Sequence, residues 1–152
     1  MPAHFEISER ALIPAPVERV WEVVSNTARY AEWVAAVLEV TDHHGPAELG
    51  KTYSERNRTL GPLTTRSTWT VHEIKPLRRR VDTGTGFEPL RKMTNIFEFR
   101  PLDTETEMTY TVHYQITPAP LAHLLHRIVQ PSTRQGMQTS MSNLTDLLIA
   151  EG

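Results

Sequence analysis

Tyr53, Glu55 and Asn57 alternate through the stretch KTYSERNRTL. Successive side chains of a strand point to opposite faces, so these three share one. A carboxylate between a phenol and an amide is suited to proton transfer beside a carbonyl. The base takes an acidic C–H proton, and the donors hold the oxyanion that develops. Burial would raise the Glu55 pKa toward neutrality and fit it for that task. Asn95, Tyr110 and Tyr114, on two later β-prone runs, are further donors for a carbonyl or phenol oxygen. The chemistry these residues suggest is general-base proton abstraction beside a bound carbonyl, with Glu55 as base. The competing reading makes Glu55 a strand glutamate paired with a nearby arginine such as Arg66.

Other chemistries find less support. There is no cysteine, hence no disulfide framework, thiol nucleophile or cysteine-rich zinc site. His43 and His44 are adjacent and would face opposite ways on a strand. His123 and His126 stand three apart on a helical segment and could touch, but no carboxylate is spaced to complete a metal site. No serine occupies a G-x-S-x-G elbow and no glycine-rich phosphate loop occurs. Arg78 to Arg80 follow a proline and read as a solvated strand start. No metal or other cofactor is implied.

The elements that must position these residues follow from periodicity. HFEISERALI alternates, with Phe5, Ile7, Ala11 and Ile13 on one face and Glu9 the exception among them. Pro14 and Pro16 end this strand, and Pro16 suits a helix start. Val17, Val20, Trp21 and Val24 form one helical stripe, Asn26 stops or caps it, and TARYAEW is long enough for a second short helix. About six strands follow, rich in Thr, Val, Tyr and Phe and joined by short links, so they should pair antiparallel. Met108, Tyr110, Val112, Tyr114 and Ile116 share an apolar, inward face, as do Met93, Asn95, Phe97 and Phe99. Val81, Thr83, Thr85 and Phe87 are expected inward on the strand between Arg79 and Phe87.

The hairpin across GPL has two registers. A two-residue loop puts Arg56 and Arg58 on the face of Trp69 and Val71, and a three-residue loop puts Tyr53, Glu55 and Asn57 there. Burying two unpaired arginines is costly, which favours the second. The last third is helical. Leu121, Leu124, Leu125, Ile128 and Val129 form one stripe and Met137, Met141, Leu144 and Leu148 another, out of phase with it. A kink or break at Pro131 would reconcile them. The methionines suit either core or an adaptable pocket wall.

A chain of 152 residues with 39% hydrophobic residues can bury one sizeable core and is expected to be a single domain. A net charge of −2 gives no electrostatic case for nucleic acid. The charged N-terminus is unlike a signal peptide, and no apolar run approaches a membrane span, so a cytoplasmic location is expected. The element order is strand, two short helices, six strands and a long helix. It predicts an α+β fold: a curved seven-stranded antiparallel sheet around the C-terminal helix.

IPAPVERVWEVVSNTARYAEW, LGKTY, STWTVHEIKPLRRR and LAHLLHRIVQP together resemble the START-like, polyketide cyclase/dehydrase (SRPBCC) superfamily with its helix-grip fold. The resemblance covers essentially the whole chain, residues 1–152. It implies a cavity for a hydrophobic small molecule, lipid or polyketide-like, held by a carrier or binding protein; the alternative is a polyketide cyclase or aromatase, and a third is a protein-interaction role. The pocket is expected to draw on Trp33, Tyr53, Glu55, Trp69, Asn95, Phe97, Tyr110, Tyr114, Met137 and Met141, with Tyr30 and Trp33 at its rim or roof and Trp21 in the core. The protein is expected as a monomer or homodimer.

Overall fold

A computed structural model describes residues 2–43, 45–58 and 63–152. His44, Gly61 and Pro62, named above, lie outside the described residues. Strand β1 (Ala3–Ile13) is followed by helix α1 (Val17–Val24), a single 3₁₀ turn (Thr27–Arg29) and α2 (Tyr30–Trp33). Six strands come next: β2 (Val37–Thr41), β3 (Thr52–Arg58), β4 (Thr64–Lys75), β5 (Arg79–Thr85), β6 (Leu90–Leu102) and β7 (Glu105–Ile116). Helix α3 (Ala119–Ala150) closes the chain. The strands make one antiparallel sheet in the order β1-β7-β6-β5-β4-β3-β2. Each strand from β2 to β7 pairs with its chain neighbour, and β1 adds to the far side of β7.

The local causes are visible at the first corner. Pro16 stands just before α1, where a missing N–H costs nothing, and Ser25 ends the helix. The Asn26 side chain then accepts from the Ala28 N–H at 3.2 Å and starts the 3₁₀ turn. Four valines of α1 are buried, while Trp21 is half-buried with its ring edge against Phe99.

Alternation sets the inward face on β1, β6 and β7 as the sequence suggests. Ile7 and Ile13, Phe97 and Phe99, and Met108, Tyr110, Val112, Tyr114 and Ile116 are all buried. Glu9, the polar exception in β1, receives hydrogen bonds from Arg134 (2.7 Å) and from Gln138 of α3. It therefore pins the helix to the sheet. α3 also accepts the Ala35 N–H on Ser140 (2.9 Å) and donates from Asn143 to the Trp33 carbonyl (3.3 Å), which fastens it to α2.

The β3–β4 register pairs Tyr53 with Trp69 and Asn57 with Thr65, so Tyr53, Glu55 and Asn57 lie inward on the face of Trp69; residues 59–62 of the turn lie outside the described residues. Two expectations are corrected. On β5 it is Arg80, Asp82 and Gly84 that share the buried inward face. The pairing of Arg80 with Phe97 and of Asp82 with Asn95 fixes this, since partners across a ladder share a face. Arg80 is thus no solvated strand start, and Val81, Thr83 and Thr85 are not the inward row, although Phe87 beyond the strand does pack on Trp69 at 5.4 Å. Finally, α3 runs unbroken through Pro131. Pro131 lies on the exposed side, where the carbonyl it leaves unbonded, that of exposed Arg127, can face water.

Candidate functional site

Arg80 and Asp82 are both 0% exposed, in the middle of the sheet. Two apart on β5, they meet as a fork: Arg80 Nε donates to Asp82 Oδ1 at 3.0 Å and Nη2 to Oδ2. Such a pair offsets its desolvation only when its remaining hydrogen-bonding capacity is met. Here much of it is. Arg80 Nη1 donates to the carbonyl of Val24, the last residue of α1, at 2.8 Å. A cation at a helix C-terminus is favourable for the helix dipole as well. The guanidinium lies over the rings of Tyr30 (5.2 Å) and Phe97 (5.5 Å). Tyr53 Oη donates to Asp82 Oδ2 at 2.5 Å. Burial, then the charges of Asp82 and Glu55, push the Tyr53 phenol well above its ordinary pKa, so it stays a donor.

Glu55 is buried on the neighbouring strand and takes hydrogen bonds on Oε1 from Trp69 Nε1 (3.0 Å) and Ser67 Oγ (3.5 Å). Ser67 in turn accepts from Asn57 Nδ2 at 2.7 Å. Burial pushes the Glu55 pKa up to about 7; the Trp69 bond opposes the rise and the Asp82 charge adds to it. Two inward carboxylates therefore differ in kind. Asp82 is locked in hydrogen bonds from Arg80 and Tyr53, while Glu55 is poised to exchange a proton near neutral pH. No arginine is hydrogen-bonded to Glu55 among the described residues, and Arg66 reaches Thr41 on the outer surface instead.

Above this cluster the helices supply a roof. Trp33 and Tyr30 are buried, edge-to-face with each other at 5.6 Å, and pack on Phe97 (5.9 Å) and Tyr53 (5.4 Å) respectively. Among the described residues, Tyr30 Oη and Trp33 Nε1 meet no hydrogen-bond partner. Two unpaired buried donors in one roof are costly and uncommon. Tyr110, ring to ring with Phe97 at 4.8 Å, completes the wall, its phenol pKa pushed up by burial and then by the Glu55 charge.

The structure thus brings together Trp33, Tyr53, Glu55, Trp69, Phe97 and Tyr110. Tyr114 stands apart, four residues along β7, with its hydroxyl 2.5 Å from His126 Nδ1 on α3. Asn95 faces inward but is half-buried. Met137 and Met141 are packed in the core against the sheet. Arg80, Asp82 and Ser67 are members absent from the expected set, although Ser67 alternates with Trp69 on β4. The signal was an opposite-charge pair two apart on one strand, followed by Gly84. A Cβ at Gly84 would stand 2.8 Å from the Trp69 ring, so glycine lets that indole lie flat against β5. Elsewhere an open cleft of about 510 Å³ lies at the end of the sheet, lined by Gly84, Leu90, Arg91, Lys92, Gln115 and Thr117 among others. None of the expected pocket residues lines it.

An antiparallel sheet that grips a C-terminal helix, with polar groups sunk in its face, defines a START-like protein of helix-grip fold. The chain belongs to the polyketide cyclase/dehydrase and lipid transport family, whose model matches residues 4–148. No curated protein matches the sequence. Among solved structures, TTHA0849 from Thermus thermophilus superposes with a TM-score of 0.76 at 18% identity, covering 97% of this chain and 99% of that one. The Zhui aromatase/cyclase from Streptomyces sp. R1128 gives 0.72 at 15% identity over 96% and 94%. Ara h 8.0201 gives 0.72 at 14% identity over 97% and 99%. At these identities the likeness is one of fold.

Proposed function

We propose that the chain is a single ligand-binding domain that takes a hydrophobic small molecule carrying an acceptor oxygen into the interior below α2 and α3. The observation that carries this is the pair of buried donors without a partner among the described residues, Tyr30 Oη and Trp33 Nε1, in the roof that packs on Tyr53 and Phe97. A carbonyl or enol oxygen placed there would satisfy them, and the surrounding Phe97, Tyr110 and Trp69 rings supply the apolar contact such sites use. Lipid and polyketide-like ligands both meet these terms. Titration with an apolar fluorescent probe, paired with native mass spectrometry of the purified protein, tests it. Micromolar binding is expected, and Tyr30→Phe or Trp33→Phe should weaken it by about fivefold, the equivalent of roughly 1 kcal/mol for one hydrogen bond. Absent binding, or binding indifferent to both changes, contradicts it.

Glu55 favours a second reading, catalysis of ring closure on such a ligand. Its carboxylate would take a proton from a carbon next to a carbonyl. The enolate carbon would attack a second carbonyl, and the carboxylic acid would return the proton to the resulting alkoxide. A pKa near 7 suits both halves of that cycle. Glu55→Gln keeps the shape and removes the base. It should abolish turnover with ligand affinity kept if the protein is a cyclase, and leave function intact if it is a carrier.

A further inference from the structure

The two apolar stripes of α3 meet different fates. Met137, Met141, Leu144 and Leu148 are buried, whereas Leu121, Leu124 and Ile128 are 56%, 57% and 66% exposed. At about 100° per residue these three fall within roughly 60° of one another on the helix surface. Seven large apolar side chains are exposed among the described residues, and only on this half-helix do three share a face. The first four turns of α3 are held from below by other groups. Phe5 stacks on His126 at 4.1 Å, Tyr114 bonds that imidazole, and Leu125 and Val129 pack against the core. The exposed stripe is therefore surplus to the fold, and an apolar patch of this kind marks a binding surface.

The charges around it favour one kind of partner. From Met108 to Thr145 the chain has no Asp or Glu, though the whole protein carries −2. Arg127 and His123 are exposed on the solvent side of the same half-helix. Arg91 and Lys92 sit across the cleft from Thr117, two residues before the helix begins, with Glu88 the acid among them. None of Arg91, Lys92 and Arg127 forms a salt bridge among the described residues. A short apolar stripe with Arg127 on the same half-helix, beginning two residues after a cleft edged by Arg91 and Lys92, matches the headgroup boundary of an anionic bilayer. No helix among the described residues is long and apolar enough to cross a membrane, so the contact is with the surface.

We infer that the N-terminal half of α3, with Arg91 and Lys92, docks this protein onto an anionic lipid surface. The stripe would sit among the acyl-chain ends and the cations against the headgroups. Docking stands independently of the proposed interior ligand, though it would turn the adjoining cleft toward the bilayer. The test is co-sedimentation of the full chain with phosphatidylcholine vesicles, with and without about one quarter phosphatidylglycerol, at low and high salt. At low salt we expect at least about tenfold more binding to the anionic vesicles, most of it lost at high salt. Leu121→Gln with Leu124→Gln and Ile128→Gln should abolish it, glutamine being a comparable helix former. Arg91→Gln with Lys92→Gln and Arg127→Gln should erase the preference for the anionic lipid and leave probe binding in the interior unchanged. Equal sedimentation of wild type and both variants overturns the inference. So does a wild type that ignores vesicles, including one whose stripe variant merely shifts a dimer to a monomer.

Discussion

The two halves of the sheet's inner face are built on opposite terms. Under β1, β6 and β7 the interior is dry: Ile7, Met108, Ile116, Met141, Leu144 and Leu148 are buried against one another with α3 as the lid. Under β3, β4 and β5 the same face carries Glu55, Asn57, Ser67, Arg80 and Asp82, all buried and joined through Tyr53 and Trp69. The first half follows the rule that folding buries apolar area. The second departs from it, and a hydrophobic cluster of similar volume would often be at least as stable as a buried ion pair. A network retained at that cost points to binding or chemistry, though part of it is plainly structural, since Arg80 also caps α1.

The largest effect should come from breaking the polar half. Asp82→Ala strands the Arg80 guanidinium and frees the Tyr53 hydroxyl, and should destabilise the fold by about 3–5 kcal/mol in urea unfolding. In the dry half Leu144→Ala leaves only a cavity and should cost about 3 kcal/mol. Unlike Asp82→Ala, its cost should not depend on salt. A Leu144→Ala loss far exceeding that of Asp82→Ala would reverse the contrast.

The contrast sharpens with pH. Burial raises the Glu55 pKa from 4.5 to about 7, so between those values the folded protein binds more protons than the unfolded chain. Stability is then fully supported below about 4.5 and falls as pH rises toward 7, by up to about 3 kcal/mol. Glu55→Gln should remove that slope and stabilise the protein above pH 7, read from unfolding midpoints across the range. The smallest effect belongs to Tyr30→Phe. It deletes a hydroxyl that has no partner among the described residues, so the midpoint should stay put or rise by about 0.5–1 kcal/mol while probe affinity drops.

Much of the dry half was legible in the sequence, because strict alternation in β6 and β7 names its own buried face. The polar half was harder. Arguing from the cost of burying Arg56 and Arg58 gives the correct face for Glu55. Arg80, which reads as a solvated strand start because it follows a proline, is misplaced by that reading, since a preceding proline says nothing of Asp82, the partner two positions on. In α3 the phase conflict between the two stripes is real, but it is resolved by leaving Leu121, Leu124 and Ile128 exposed rather than by a break at Pro131. A periodicity shows which residues could be buried together; which stripe wins is decided by the sheet beneath.

The central claim is that Glu55, with the donors of Tyr30 and Trp33, receives the acceptor oxygen of an interior ligand. Its most direct test is the pH dependence of binding of one neutral, carbonyl-bearing apolar probe to wild type and Glu55→Gln. A protonated Glu55 can donate to that oxygen and an ionised one repels it. Wild-type affinity should therefore rise about tenfold as pH falls through about 7, as repulsion gives way to a neutral hydrogen bond, while Glu55→Gln stays flat. The same pH profile in both proteins, or one with its midpoint at the ordinary carboxylate value, would contradict the account.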